Sequence, residues 1–507
     1  MSGHHSLTHR TRSLLLLKSK LWCGLAVAIA TALRFFRLGT KSFWLDEAIS
    51  AVLAQAGRHV FVTAIVHRQA NMVLYYLLLR GWIMLGSSEF VIRSLSVVAG
   101  VAAIPAIYLL GARLFGPRTG RIAALLLSVH AFHIRYSQEA RAYSLVMFLA
   151  IVSSLFFLLS LEQPSRKNWG LYIFVSVLMV YAQVFGGWVL LAQWASSLWL
   201  RREIRWKQFL YSAAMICFLI SPLAYCLLSL SDRSQLYWAM KPSVQDLYKF
   251  CLNISGDGGS LLLLVNLAML FSGLVVGFRH SKFHSSIAGA WKYWFLLIWL
   301  ILPVASILAI SLRWPAFEPR FLIGCLPPLV LLVANGVTQI RSRVFFVATL
   351  MILLALSLSG TSSYYRARGD AEHTDDWRDA TRYILSQAET GDAVLFSYSE
   401  ERLAFDEYRR RLQIAGSPVH EFPEETELEL LTLRPSRPSP ELLDKLADGY
   451  KRLWVISAFQ PNSASRQVNA LLRARFREHG DKRFGFVHAD LFASPTPSLP
   501  DQQTDSR

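Results

Sequence analysis

Charge is what this chain has least of. Only 17% of its 507 residues are Asp, Glu, Lys or Arg, against 53% hydrophobic, and the mean hydropathy is +0.36. That balance excludes a soluble protein of this length and points to many membrane spans. Cysteine is scarce as well. Of five, Cys23, Cys217, Cys226 and Cys325 lie in apolar runs and Cys251 stands alone, so neither a disulfide framework nor a metal-ligand spacing is visible. Acids are outnumbered by Lys and Arg, 34 to 52, for a net charge of +18. Such a surplus can mean nucleic acid, but here the cations fall in short clusters between apolar runs, the pattern of loops retained on the cytoplasmic side. Nucleic-acid binding is therefore discounted. Residues 362–507 also lack a Gly-rich loop of Rossmann or P-loop type, which argues against a separate nucleotide enzyme there.

What is present is a series of apolar runs near 20–37, 90–111, 120–135, 142–161, 169–184, 186–200, 208–230, 260–278, 293–312, 321–338 and 344–361. A hydrocarbon core of about 30 Å takes about 20 residues of helix, so about eleven spans are expected. The polar start, with His4, His5 and His9, leads into the first run without a clear small-residue cleavage site and predicts an uncleaved first span. A further run, 72–86, is short and interrupted by Arg80. Charge parity decides its place. With the N-terminus cytoplasmic and 72–86 lying in the interface, the clusters at Arg113/Arg118/Arg121, Arg166/Lys167, Arg201/Arg202/Arg205/Lys207, Arg279/Lys282/Lys292 and Arg341/Arg343 all fall on the cytoplasmic side. If 72–86 spanned, all would invert. Residues 38–88 are thus expected to form an external loop with interfacial helices.

This topology places the remaining span-end polar residues on one external face. They are Asp46 and Glu47, then Ser137-Gln138-Glu139-Ala140-Arg141-Ala142-Tyr143, then Tyr181-Ala182-Gln183, then Arg313 to Arg320. Carboxylates near hydrocarbon are costly and are functional candidates by default. Asp46 and Glu47 equally suit the first turn of an interfacial helix, where the helix dipole favours acids. A loop over 231–260, with Trp238, Tyr248 and Gly256-Asp257-Gly258-Gly259, suits either a plain connection or a cover. From about residue 362 the chain turns polar. It reads as a helix opened by Asp375-Asp376-Trp377 and running through Ile384 and Ala388, a strand 393–398, a helix 401–411, a Pro-rich linker, a strand 452–458, a helix 463–476 and a last strand 484–489. That alternation predicts a small α/β domain with a partly parallel sheet, and residues 494–507 read as a disordered tail.

These pieces carry a resemblance. Phe43-Trp44-Leu45-Asp46-Glu47-Ala48 after the first span, Ser88-Glu89-Phe90-Val91-Ile92-Arg93 opening the second, and Tyr136-Ser137-Gln138-Glu139-Ala140-Arg141-Ala142-Tyr143 after the third are its first elements. Tyr181-Ala182-Gln183-Val184-Phe185-Gly186 and Phe317-Glu318-Pro319-Arg320-Phe321 complete it. Together they resemble membrane glycosyltransferases of the GT-C fold, in particular bacterial relatives of protein mannosyltransferases (glycosyltransferase family 39-like) and of the lipid A aminoarabinose transferase.

The resemblance implies a transmembrane GT-C-like catalytic domain over 1–361, an extracytoplasmic α/β domain over 362–493 and residence in a plasma (inner) membrane. It also implies inverting sugar transfer from a polyprenyl-phosphate-linked donor to a glycan, lipid or protein acceptor at the external face. On it, Asp46 is the general base or acceptor-orienting carboxylate and Glu47 assists it or positions the loop. Arg141 and Arg320 hold the donor phosphate, and Glu139, Tyr143 and Gln183 contact sugar or acceptor. Where many relatives have His in a Tyr-x-His-x-Phe-Gly pattern, this chain has Gln183, which neither titrates nor binds metal well. No cofactor is implied with certainty; divalent metals assist some enzymes of this fold and not others.

Plainer roles exist for the same residues. Glu139 can pair with Arg135 across one turn, Arg320 can anchor a helix start, Glu89 and Arg93 suit a structural pair, and His130 and His133 suit a packed or hydrogen-bonded pair better than a metal site. A transporter or flippase of lipid-linked sugars is the alternative function, opposed by charges that gather at one rim instead of the bilayer midplane. A receptor-like protein acting through its α/β domain is another.

Overall fold

The structure is a computed structural model, describing residues 21–200, 204–230, 242–281, 289–369, 375–413, 419–433, 436–458, 470, 472–474 and 476–493. The polar start, the Trp238 part of the expected cover, most of the expected helix 463–476 and the tail 494–507 lie outside them.

Two compact units make up the chain: Met1–Thr40 with Phe61–Ala367, and Lys41–Val60 with Arg368–Arg507. The expected division near residue 361 therefore differs in one respect, because part of the first loop belongs to the second unit.

The first unit is helical: α1 (Leu21–Phe35), most of α3 (Arg58–His67), α4 (Val73–Trp82), α5 (Glu89–Phe115), α6 (Pro117–Ser128), α7 (Ala131–Ser137), α8 (Tyr143–Glu162), α9 (Arg166–Ala182), α10 (Gly187–Ser197), α11 (Trp206–Tyr225), α12 (Val244–Ser255), α13 (Gly259–Ser281), α14 (Trp291–Ser311), α15 (Leu326–Thr338) and α16 (Arg343–Gly369). Among the described residues, seven helical stretches are long and apolar enough to cross a membrane: α5, α8, α11, α13, α14, the stretch Pro319–Thr338 ending in α15, and α16. The expected spans at α1, α6, α9 and α10 are helical but shorter. The protein is a multi-pass helical membrane protein. The run expected to be interfacial forms a 3-10 turn (Ala70–Met72), α4 and a second 3-10 turn (Ile83–Leu85), stopped by Gly86 at φ +141°.

Local chemistry sets these boundaries. Ser88 caps α5 by accepting from the Val91 N–H at 3.3 Å, and Gly116, at φ +100°, ends it so that Pro117 can open α6. One expected span is broken. The run 120–135 is two helices, α6 and α7, parted at Val129 and His130. A break at membrane depth frees carbonyls that lipid cannot satisfy. Here the buried Arg34 guanidinium donates to Leu127 O (3.1 Å) and Ser128 O (3.0 Å), and the Thr361 hydroxyl donates to Val129 O (2.7 Å).

The second unit holds α2 (Leu45–Gln55), α17 (Trp377–Gln387), β1 (Asp392–Phe396), α18 (Glu401–Arg411), β2 (Val419–Phe422), α19 (Glu427–Thr432), α20 (Pro440–Gly449), β3 (Arg452–Ser457), β4 (Arg477–Phe484) and β5 (Val487–Ala493). Its sheet runs β2-β1-β3-β5-β4, the first three strands parallel and the last two antiparallel. Ala393, Leu395, Leu453, Val455 and Phe492 form its core with Leu443 and Leu446 of α20. Asp376 caps α17 by accepting from the Asp379 N–H at 3.2 Å. Two expectations are corrected. The final strand, read as 484–489, straddles the β4–β5 hairpin, taking in the end of β4, the turn at Gly485 and Phe486 and only the start of β5, and the Pro-rich linker contains β2, α19 and α20.

Candidate active site

The acidic pair opens α2. Trp44 is extended (φ −82°, ψ 170°), and its N–H donates to Glu47 Oε2 at 3.4 Å, so Glu47, 1% exposed, folds back to cap its own helix. Asp46 is half-buried beside it. The α/β domain holds this helix closely. Arg378 donates from its N–H to Ser42 Oγ (3.1 Å) and from Nη2 to Lys41 O (3.2 Å). The Phe43 N–H donates to Tyr408 Oη (2.6 Å), Gln55 Nε2 donates to Glu407 Oε1 (3.1 Å), and the Arg411 guanidinium lies 4.8 Å from the Phe43 ring centre.

Within the first unit, Glu139 and Arg141 occupy the tight turn between α7 and α8, where the Arg141 N–H donates to Glu139 O at 2.8 Å. Arg141 Nη1 donates to Tyr76 Oη (3.1 Å), and Tyr76 in turn donates to Gln69 Oε1 (3.1 Å). Its carbonyl accepts from Ser96 Oγ (3.0 Å), and Ser144 Oγ donates to Ser96 O (2.8 Å), tying α5 and α8 to that turn. Tyr136 gathers the other members: Glu139, Arg320, Arg135 and Tyr143 are all within its electrostatic reach. Tyr143 is fully buried, its ring edge-on to Tyr136 at 5.1 Å.

Arg320 leaves the 3-10 turn Pro319–Cys325 with Nε 3.7 Å from Glu318 Oε2. The neighbouring Phe321 stacks on Phe185 at 4.4 Å. That contact brings Gln183 to the same side. At the end of α9, in extended conformation, Gln183 is 1% exposed with Oε1 lacking a hydrogen-bond partner, and it lines a narrow cleft with Phe185, Trp188, Pro303 and Phe321.

The first unit thus brings together Glu139, Tyr143 and Arg320 around Tyr136, with Arg141 in the adjoining turn and Gln183 reached through Phe185. The second unit holds Asp46 and Glu47. The sequence reading missed Tyr76, Gln69 and Ser96, which fix Arg141; for Tyr76 and Ser96 the one signal was a polar side chain within an apolar run, and Gln69, in the polar stretch before 72–86, carried none. It also missed Arg34, whose Nη2 donates to His133 Nδ1 at 2.7 Å. That bond makes His133 a hydrogen-bonded histidine. Arg93 likewise donates to Leu38 O at 3.0 Å.

Helices, small sheet and element order define the fold class: this is the GT-C fold found in membrane glycosyltransferases. A family model described as dolichyl-phosphate-mannose-protein mannosyltransferase matches residues 68–225. Among solved structures, ArnT from Cupriavidus metallidurans bound to undecaprenyl phosphate is similar at 13% identity and a TM-score of 0.62, covering 94% of this chain and 98% of that one. The oligosaccharyltransferase AglB from Archaeoglobus fulgidus, in complex with an inhibitory peptide and a dolichol-phosphate, is similar at 13% identity and a TM-score of 0.51, over 96% of this chain and 75% of that one. Arabinofuranosyltransferase AftD from Mycobacteria is similar at 15% identity and a TM-score of 0.51, over 94% of this chain and 41% of the larger AftD chain. No curated protein sequence matches.

Proposed function

We propose that the protein is an inverting glycosyltransferase that moves a sugar from a polyprenyl-phosphate donor to a hydroxyl of a protein, lipid or glycan at the external face of a plasma (inner) membrane. The observation that carries this reading is the likeness, over nearly the whole of both chains, to a transferase fold solved with undecaprenyl phosphate.

The acceptor hydroxyl attacks the anomeric carbon from the face opposite the phosphate. The bond from that carbon to the phosphate oxygen breaks, polyprenyl phosphate leaves with the electron pair, and the hydroxyl proton passes to Asp46. Arg141 and Arg320 hold the phosphate as its charge develops, since a guanidinium fork matches phosphate geometry. Tyr76 presets the Arg141 fork. Gln183 Oε1, buried without a hydrogen-bond partner, accepts from a sugar hydroxyl, and Glu139 orients the cations or meets the sugar. Tyr143 supports Tyr136, and Glu47 holds the loop.

The test is release of polyprenyl phosphate from a panel of radiolabelled polyprenyl-phosphate sugars by purified protein in lipid nanodiscs, wild type beside Asp46→Asn. Asp46-dependent release with label passing to an acceptor is expected, with turnover falling roughly 10²–10⁴-fold in the variant. No release from any donor, with lipid-linked sugar crossing between leaflets of liposomes instead, overturns the reading in favour of transport.

A further inference from the structure

Doubly wound sheets bind ligands beyond the carboxyl ends of their strands, at the point where strand order reverses. In the second unit that point lies between β1 and β3, because the chain leaves β1 through α18 to β2 on one side and returns through α19 and α20 to β3 on the other. Glu401 closes the carboxyl edge there, accepting from the Tyr398 N–H (3.1 Å) after β1 and the Ala458 N–H (2.9 Å) after β3. Asp375 lies within electrostatic reach of Glu401 and also of Asp46 and Lys41. It is fixed by a bridge to Gly485 in the β4–β5 turn, and its carboxylate accepts from the N–H of Leu45, the first residue of α2.

We propose that Asp375 is a positioning residue for Asp46: it ties the first turn of α2 to the carboxyl edge of the sheet and sets a second carboxylate beside the reacting one. The proposal rests on Asp46 being the general base, and it gives the α/β domain a part in the reaction. The groups facing Asp375 are Asp46 of α2, Lys41 before it and Glu401 of α18. Burial first, and then the Asp46 charge, push Asp375 up to about 7, with Lys41 pulling the other way. Asp375 is neutral below that value and ionised above it. Once ionised, it adds negative potential where the acceptor's proton arrives, which favours that transfer. Turnover therefore gains a rise through about pH 7.

The experiment measures kcat and the donor KM against pH for the full chain in nanodiscs, with wild type, Asp375→Asn and Asp375→Ala. Asn keeps an oxygen for the Leu45 N–H and loses the titration; Ala loses both. The expected result is a wild-type rise near pH 7 that is missing in both variants. Asp375→Ala should lower kcat about tenfold with little change in KM, and Asp375→Asn should recover most of that loss. Variant profiles that superimpose on the wild type overturn the proposal.

A second readout needs no activity. Protonation of Asp375 is followed by difference infrared spectroscopy of the carboxylic acid C=O stretch, wild type minus Asp375→Asn, in the native and Asp46→Asn backgrounds. A midpoint that moves down without the Asp46 charge supports the pairing, and an unmoved midpoint overturns it. If the midpoint moves while Asp46→Asn still turns over normally, the pairing stands and the general-base assignment falls.

Discussion

Arg34 has no exposed surface, although it sits in an apolar helix, and among the described residues its guanidinium bonds stay inside the first unit: to Ala30 O, Leu127 O, Ser128 O and His133 Nδ1. Replacing it with Met takes the guanidinium's donors from Leu127 O and Ser128 O at the α6–α7 break, and Ser128 O loses the one side-chain donor it has among the described residues. Each such loss costs about 1–3 kcal/mol, so Arg34→Met should lower the thermal unfolding midpoint in detergent by several degrees. An unchanged midpoint would show that the break does not depend on this side chain. At Arg141 the expectation concerns function: Lys keeps the charge but not the planar fork, and Arg141→Lys should raise the donor KM roughly tenfold. A KM equal to wild type would remove Arg141 from the phosphate. The two arginines also differ in how readable they were. Arg141 stood in a motif with Glu139, whereas the partners of Arg34 lie 93 and 94 residues further on, and nothing local marks such a bond.

Element by element, legibility followed local signals. Helix α18 was read at its observed bounds, and β1, β3 and α17 within one or two residues, since each combines periodicity with a turn or cap. Strand β4 was not read because it is a nearly fully exposed edge with no alternation of polar and apolar residues. The α6–α7 break was missed for a tertiary reason, as its carbonyls are satisfied from α1 and α16. The membership of α2 in the second unit was equally hidden, although its Leu45, Ala48, Val52 and Leu53 are buried.

Tyr408→Phe tests that placement. It leaves the Phe43 N–H without its acceptor, should cost about 1–3 kcal/mol, and should speed hydrogen exchange at Phe43 and in the first turn of α2. Exchange as slow as in wild type would show that the bond contributes nothing. At the carboxyl edge of the sheet, burial pushes Glu401 up to about 8. A carboxyl group whose folded value is raised stabilises the fold while protonated. That contribution is complete below the unfolded value of about 4.3 and is lost as pH rises through about 8. Resistance of the second unit to limited proteolysis should therefore decline between about pH 5 and 8, and less so in Glu401→Gln. Equal declines would put the sensitive group elsewhere.

At the scale of the whole molecule, charge parity predicts an external C-terminal unit. Alkaline phosphatase fused after Ala493 should be active and green fluorescent protein at the same place dark; the reverse pattern would invert the topology. The composition of the second unit also has a temporal side. Residues 41–60 are made early, yet the segment they pack with begins at Arg368, about 300 residues later. At roughly 5–20 residues per second, the ribosome takes on the order of 15–60 s to supply it. Through that interval α2 has its apolar face and no home. A stalled or truncated product never supplies one, so each incomplete chain displays a hydrophobic helix by which surveillance proteases can tell it from a finished molecule.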